Sequence, residues 1–292
     1  MANTILTSEV IAGEALDVLR NNAVMPNLVY RDYSGDFVPG VGETISVRKP
    51  ATFVANEFAG TLTVQDATET STSVTMDKHL DVSFAVTSKE MTMSIEDFSA
   101  QFLTPAMQAF LDKVDGYLIA AGVAAAKKTV ATSAAVTQAD IVKARQAIVQ
   151  GKAPTTDRNF VFGPQIEADL LSTELFVNAA AAGDTAGLQE ASIGRKFGLD
   201  CYTDQNCANA NGTEDDGIVF HKNALALVTR PLELPQGAAN ASVANYDGFG
   251  IRVVYGYDMQ TKTDTVSLDM LCGVKALYPE LVSVIKRTVA AA

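Results

Sequence analysis

The chain has 292 residues, 34 acidic against 22 basic side chains, and a formal net charge of −12. That length allows one large or two ordinary domains with a real core. The charge argues against gripping nucleic acid through a basic surface, although a container that only encloses nucleic acid would tolerate a repulsive lining.

Residues 1–42 read as an N-terminal arm. Val10, Ile11, Leu16 and Leu19 have helical spacing. Pro26, Gly35, Pro39, Gly40 and Gly42 then punctuate the chain too often for a core of its own. MANTILTSEV lacks a basic region followed by an apolar one, and so does not read as a signal peptide. ETISVRKP, 43–50, reads as a strand closed by Pro50, and 51–72 as a loop tip or loose hairpin.

Val74, Met76, Leu80, Val82, Phe84 and Val86 alternate with Thr75, Asp77, His79, Asp81, Ser83 and Thr87, with Lys78 as the one polar break. Period two predicts one dry and one wet face. A single strand of this length would run about 45 Å at about 3.3 Å per residue. It would leave the globule as one leg of a projecting hairpin, with 43–49 as the other. An isolated hairpin is marginal in water, so a neighbouring subunit would have to cover it. The alternative is a bent strand shared between two sheets.

Ser94 to Lys128 carries apolar residues three to four apart, among them Phe98, Phe102, Met107, Phe110, Leu111, Val114 and Leu118. That is one face of a helix of roughly 50 Å. A globule of this size has a radius of gyration of only about 19 Å. Such a helix suits an assembly, or equally the core of a large enzyme. Thr104-Pro105 predicts a break or kink near Leu103 to Pro105.

Residues 137–244 alternate short helices and strands, as in an α/β domain. Thr137 and Asp140 form a capping pair, and Gly151 stops that helix. NFVFGP is a short strand, and Pro164 opens the next helix. FGLDCYT and GIVFHKNALALVTR give further short strands, and Asn206 to Gly217 reads as a surface loop. Beyond, 251–259 and 266–274 alternate as a long hairpin turned by QTKTD, followed by LYPELVSVIKR as a last strand-like piece.

A search for chemistry returns little. There is no dinucleotide fingerprint, no phosphate-binding loop, no HExxH and no GxSxG. His79 and His221 have no oriented nucleophile beside them and read as solvated or interface residues. Glu214, Asp215 and Asp216 lack the spacing of a calcium loop and read as a solvated loop. Arg48-Lys49-Pro50 and Arg195-Lys196 are basic patches too small for nucleic-acid recognition. Cys201, Cys207 and Cys272 contain no CxxC pair and read as reduced thiols made in a cytoplasm, and no zinc-ligand spacing appears. No catalytic, cofactor-binding or metal-binding residue is assigned, no cofactor is expected, and no apolar run is long enough to span a membrane.

MDKHLDVSFAVTSKEMTMSIEDFS, 76–99, resembles the major coat proteins of tailed double-stranded DNA phages, most closely the coat family typified by a short-tailed Salmonella phage. RKFGLDCYTDQN and GFGIRVVYGYDMQTKTDTVSLDMLCGVKALYPELVSVI are similar to elements of that family. The resemblance implies an α+β Hong Kong-type capsid fold. An extended β-hairpin loop would cover 43–90, and 91–136 with 245–292 would form a peripheral domain holding a long spine helix and hairpin. An axial domain would cover 137–244. It implies a non-enzymatic major capsid protein of the virion, made in the host cytoplasm, that self-assembles through hexamers and pentamers into an icosahedral shell around double-stranded DNA. Its partners would be itself, scaffolding and portal proteins, and a decoration protein, with no sequence-specific DNA contact and no membrane. The inserted domain of the typifying member is missing from this chain. Rival readings are another self-assembling phage structural protein, such as a tail tube, and a soluble α/β enzyme.

Overall fold

The computed structural model describes residues 24–33, 43–51, 53–57, 60, 64–67, 69–87, 102–173, 193–208, 214–237, 240–246 and 249–288. The arm residues with helical spacing, Val10, Ile11, Leu16 and Leu19, and positions 88–99 of the stretch that carries the family resemblance lie outside the described residues.

The first described element is one helical turn, α1 (Met25–Leu28), opened by Pro26. Met25 and Val29 are fully buried against the main core, so this end of the arm is fastened to the chain's own body. β1 (Thr44–Lys49) and β2 (Thr70–Thr75) then form an antiparallel hairpin, Thr44 opposite Thr75 and Lys49 opposite Thr70.

β3 (Lys78–Thr87) follows after a two-residue break at Met76-Asp77. The single long strand expected from 74 to 87 is therefore two strands in two sheets, and the bent-strand alternative describes it better. The period-two pattern itself holds: His79, Asp81, Ser83 and Ala85 are exposed while the residues between them face inward. Alternation reports which face is dry, and a strand that changes sheets keeps that alternation.

α2 (Thr104–Ala125) is the long helix. Its 22 residues span about 33 Å. Leu103 is already helical (φ −72°, ψ −45°), so the backbone enters Thr104 and Pro105 without a break there. Pro105 sits in the first turn, where a missing N–H costs nothing. The helix stops at Ala125, short of the expected Lys128. Ala126 turns extended (ψ 122°), and Lys128 opens β4 (Lys128–Thr132). A parallel strand partner is available there, and β-branched Thr129 and Val130 take it.

α3 (Gln138–Gln150) has the expected capping pair. The Asp140 carboxylate accepts from the Thr137 N–H at 3.1 Å and from its hydroxyl at 2.7 Å. Gly151 ends the helix as expected, and a Cβ there would lie 2.1 Å from the Glu280 carbonyl oxygen. β5 (Arg158–Phe162) is buried along its whole length and leads through Gly163 into α4 (Pro164–Leu171). β6 (Arg195–Lys196) and β7 (Leu199–Thr203) form a tight pair, followed by a 3-10 turn at Gln205–Cys207. β8 (Glu214–His221) and β9 (Leu225–Arg230) flank another 3-10 turn. β10 (Asn240–Tyr246), β11 (Phe249–Asp258) and β12 (Thr263–Ala276) run as a meander, and β13 (Val282–Thr288) closes the described chain.

Two larger sheets result. One runs β10-β11-β12-β3, all antiparallel, with β9 beside the last residues of β12. The other is mixed, in the order β4-β13-β8-β5-β7-β6. The sheets do not respect the expected split of the sequence: β13 and β4, from segments assigned to the peripheral unit, lie in the sheet of the axial segment, while β9 goes the other way. α2 packs on β12 and β3 of the first sheet and on β8 and β13 of the second. Its stripe Met107, Phe110, Leu111, Val114 and Leu118 joins one core common to both.

The β1–β2 hairpin roots on this body. Val47 and Val74 pack with Ala226, Val228 and Leu277 in a second, smaller core. The change of sheet between β2 and β3 crosses β12 closely, since a Cβ on Gly273 would lie 2.3 Å from the Thr75 carbonyl oxygen. Gly273→Val should therefore destabilise the fold by about 2 kcal/mol or more. Urea unfolding measures this; an unchanged midpoint would mean that β2 does not cross β12 there.

Candidate functional site

Two kinds of surface could carry function. The first is apolar and exposed. Beyond its rooted end the β1–β2 hairpin presents Phe53, Val54 and Val64, the last 89 % exposed. The Val54 N–H donates to the Gln65 side-chain carbonyl at 2.9 Å, and the Gln65 amide donates back to the Val54 carbonyl, so the two sides of the loop are clasped. Tyr257 and Met259 are exposed where β11 turns into β12, Met259 at 82 %. Large apolar side chains at the tips of two hairpins are the sort of surface a partner covers.

The second is an open cleft of about 430 Å³ between α2 and the turn at Gln205–Cys207. Asp112, Asp115 and Asp204 line it with Gln108, Leu111 and Asn206. Asp115 lies on the core-facing stripe of α2, beside Val114, and is buried. Burial, then the nearby Asp204 and Asp112, push its carboxyl up to about 8. Burial also raises Asp204, opposed by hydrogen bonding from Asn206, whose N–H donates to it at 2.9 Å.

The residues singled out from sequence are dispersed. His79 is exposed on the wet face of β3. His221 is buried at the end of β8, where its Nδ1 accepts from the Asn223 N–H at 3.2 Å and burial lowers its pKa. Arg48 is exposed on β1, and Lys49 lies 4.6 Å over the Tyr278 ring. Arg195 pairs with Asp200 at 3.4 Å. Burial raises all three thiols, Cys201 to about 12 and Cys272 to about 11, which makes them poor nucleophiles. Among the described residues no group of three or more His, Cys, Asp or Glu could hold a metal ion, and no helix is long and apolar enough to cross a membrane.

The reading of Glu214 to Asp216 as a solvated loop is overturned. These residues begin β8, and Asp215 is 1 % exposed. Its Oδ2 accepts from the N–H groups of Gln165 at 2.8 Å and Ile166 at 3.0 Å. It thus caps α4 from a different strand, satisfying two otherwise orphaned donors. Gly163 makes room, since a Cβ there would lie 1.8 Å from the Asp215 carboxylate. Local composition could not show this, because the partner is some fifty residues away. Asp115 was also missed, although an acid inside an apolar helical stripe was a visible signal.

No protein-family model matches the chain, and no curated protein matches it in sequence. Solved structures do match in shape. A chain from Mycobacterium phage Che8 has a TM-score of 0.70 at 17% identity, covering 90% of this chain and 91% of that one. A chain from the mature capsid of bacteriophage PhiM1 has a TM-score of 0.62 at 15% identity, covering 93% and 88%. A virus-like particle from Pyrococcus furiosus gives 0.56 at 12% identity, covering 94% and 97%. The fold is one found in phage capsids. It is a mixed α+β fold, and it spans nearly the full length of each of these chains.

The buried Asp115 carboxyl makes stability depend on pH. An ordinary aspartate gives up its proton near 3.8, whereas this one holds it to about 8. Between those values the folded state binds the extra proton, so the group's contribution declines as pH rises, by at most about 1.4 kcal/mol per pH unit. Asp115→Asn should raise the Tm more at pH 8 than at pH 5. Equal changes at both pH values in a calorimeter would contradict the burial of this carboxyl.

Proposed function

We propose that this chain is a major capsid protein, which self-assembles into a closed icosahedral shell enclosing phage double-stranded DNA. The observation that carries this reading is the likeness to a chain of the PhiM1 mature capsid over 93% of this chain and 88% of that one. Likeness to the Che8 phage chain over nine-tenths of both molecules supports it.

In this reading the mechanism is geometric and not catalytic. α2 is the spine that ties the two sheets into one rigid subunit. The β1–β2 hairpin is the extended loop, with 78–87 drawn into the body as β3, and 1–42 is the arm that reaches neighbours. The 137–244 segment with β4 and β13 contributes the axial domain around which hexamers and pentamers form, and the rest of 91–136 and 245–292, joined by β9, the peripheral domain. Phe53, Val54 and Val64 then become buried under an adjacent subunit, each buried side chain contributing about 1.5–3 kcal/mol. Individual contacts can stay weak because closure multiplies them. The net charge of −12 suits a lining that does not hold its cargo tightly. Scaffolding and portal proteins are the expected assembly partners, with a decoration protein as a further candidate, and the virion is its place.

Electron microscopy of the overexpressed protein tests this directly. Closed shells are the expected outcome; open helical tubes would favour a tail-tube role, and a stable monomer with a radius of gyration near 19 Å would exclude a shell-forming chain. Limited proteolysis gives a second check. Unassembled protein should be cut first between Ala51 and Ser73, and assembly should protect those bonds. Early cutting that persists unchanged in shells would remove the loop from the interface.

A further inference from the structure

The cleft beside α2 has an unmet electrostatic demand. Asp115 is 4 % exposed and Asp204 6 %, yet Asp115 Oδ1 and Asp204 Oδ2 accept no hydrogen bond. Both residues line the same open cleft, and Asp112 adds a third carboxylate at its rim, one helical turn before Asp115. A buried acceptor left without a donor destabilises the fold, because it has lost water and gained no partner. Asp112 receives a long contact from the Asn206 amide, at 3.5 Å. Among the described residues no Lys or Arg lines the cleft.

We propose that this cleft is a binding site for an organic cation, an ammonium or guanidinium group, held between Asp115 and Asp204. Three features select that class. The volume of about 430 Å³ lies in the range of ligand pockets and far exceeds what a bare ion fills. The described carboxylates are not clustered as a metal would need. Leu111 and the Gln108 and Asn206 amides offer an apolar wall for a methylene stem and neutral acceptors for the remaining N–H groups. A strongly acidic chain also concentrates cations at its surface. The cation has two possible sources: a free polyamine, or a Lys or Arg side chain of a second copy of this chain. The site stands on the cleft itself and does not depend on shell formation.

The experiment uses full-length, unassembled protein at pH 9, where Asp115 has given up the proton it holds to about 8, and follows its Tm against methylguanidinium and spermidine, with sodium chloride at matched ionic strength as reference. A saturable rise above the sodium chloride curve is expected. Asp115→Asn and Asp204→Asn should each weaken the apparent affinity by about tenfold or more, as loss of one charged partner implies. Glu57→Gln removes the same charge from an exposed loop and should change nothing. If Asp115→Asn fails to fold, Asp204→Asn carries the comparison alone. The proposal is overturned if the organic cations act no differently from sodium chloride, if the aspartate variants respond like the wild type, or if magnesium or calcium saturates the effect at lower concentration. Light scattering separates the two sources. A side chain of another copy predicts that methylguanidinium and Asp204→Asn both reduce self-association. A free polyamine predicts that spermidine binds more tightly than methylguanidinium while self-association is unmoved.

Discussion

Strand β12 is the constraint on which the rest of the molecule depends. Its fourteen residues bond to β3 on one edge from Thr263 to Cys272. On the other edge it bonds first to β11, through Asp269, and then to β9 from Leu271 onward. One strand thereby fixes the register of three others that come from distant parts of the chain. Val266, Leu268 and Met270 are fully buried along it, facing a core that α2 completes. The Arg252–Asp269 ion pair, nearly buried, locks β11 to β12 near the point where β9 takes over, and Arg252 also donates to the Glu233 carbonyl at 2.6 Å. Charge-assisted bonds of this kind hold register because a slip of one residue would strand both charges.

The second sheet is tied to the first by chain crossings and not by a linker. β13 returns from β12 through the turn at Pro279–Leu281, then inserts between β4 and β8. Arg287 near its end donates to Asp169 at 2.9 Å, and the same carboxylate accepts the Val136 N–H at 3.0 Å. Asp215 reaches from β8 to the start of α4. These carboxylates are spent on backbone donors and an arginine inside the fold. Asp115, whose buried Oδ1 has no hydrogen-bond partner, instead lines the open cleft together with Asp204. The acidity of the chain therefore serves two ends: part of it closes the structure, and part is left facing a cleft.

This arrangement suits a subunit that must stay rigid while its edges meet others. The common core lies under α2, and the large exposed apolar side chains sit at hairpin tips away from it. Losing a contact at a tip need not disturb the core, because the hairpin has its own small cluster at its root, Val47 and Val74 against Ala226, Val228 and Leu277.

The sequence by itself determined the elements and their faces. Period two marked the inward residues of β3 and the β11–β12 hairpin, period 3.6 marked the buried stripe of α2, and Thr137 with Asp140 marked the start of α3. Such signals are local, since they depend on neighbours two to four residues away. Only the tertiary structure decided which strands share a sheet. It split 74–87 at Met76-Asp77, because β1 pairs one part and β12 the other. It sent β13 and β9 across the expected domain boundary. It also turned Asp215 from a loop acid into a helix cap and placed Asp115 opposite Asp204. Pairing and burial depend on residues far apart in the chain, and no local period encodes them.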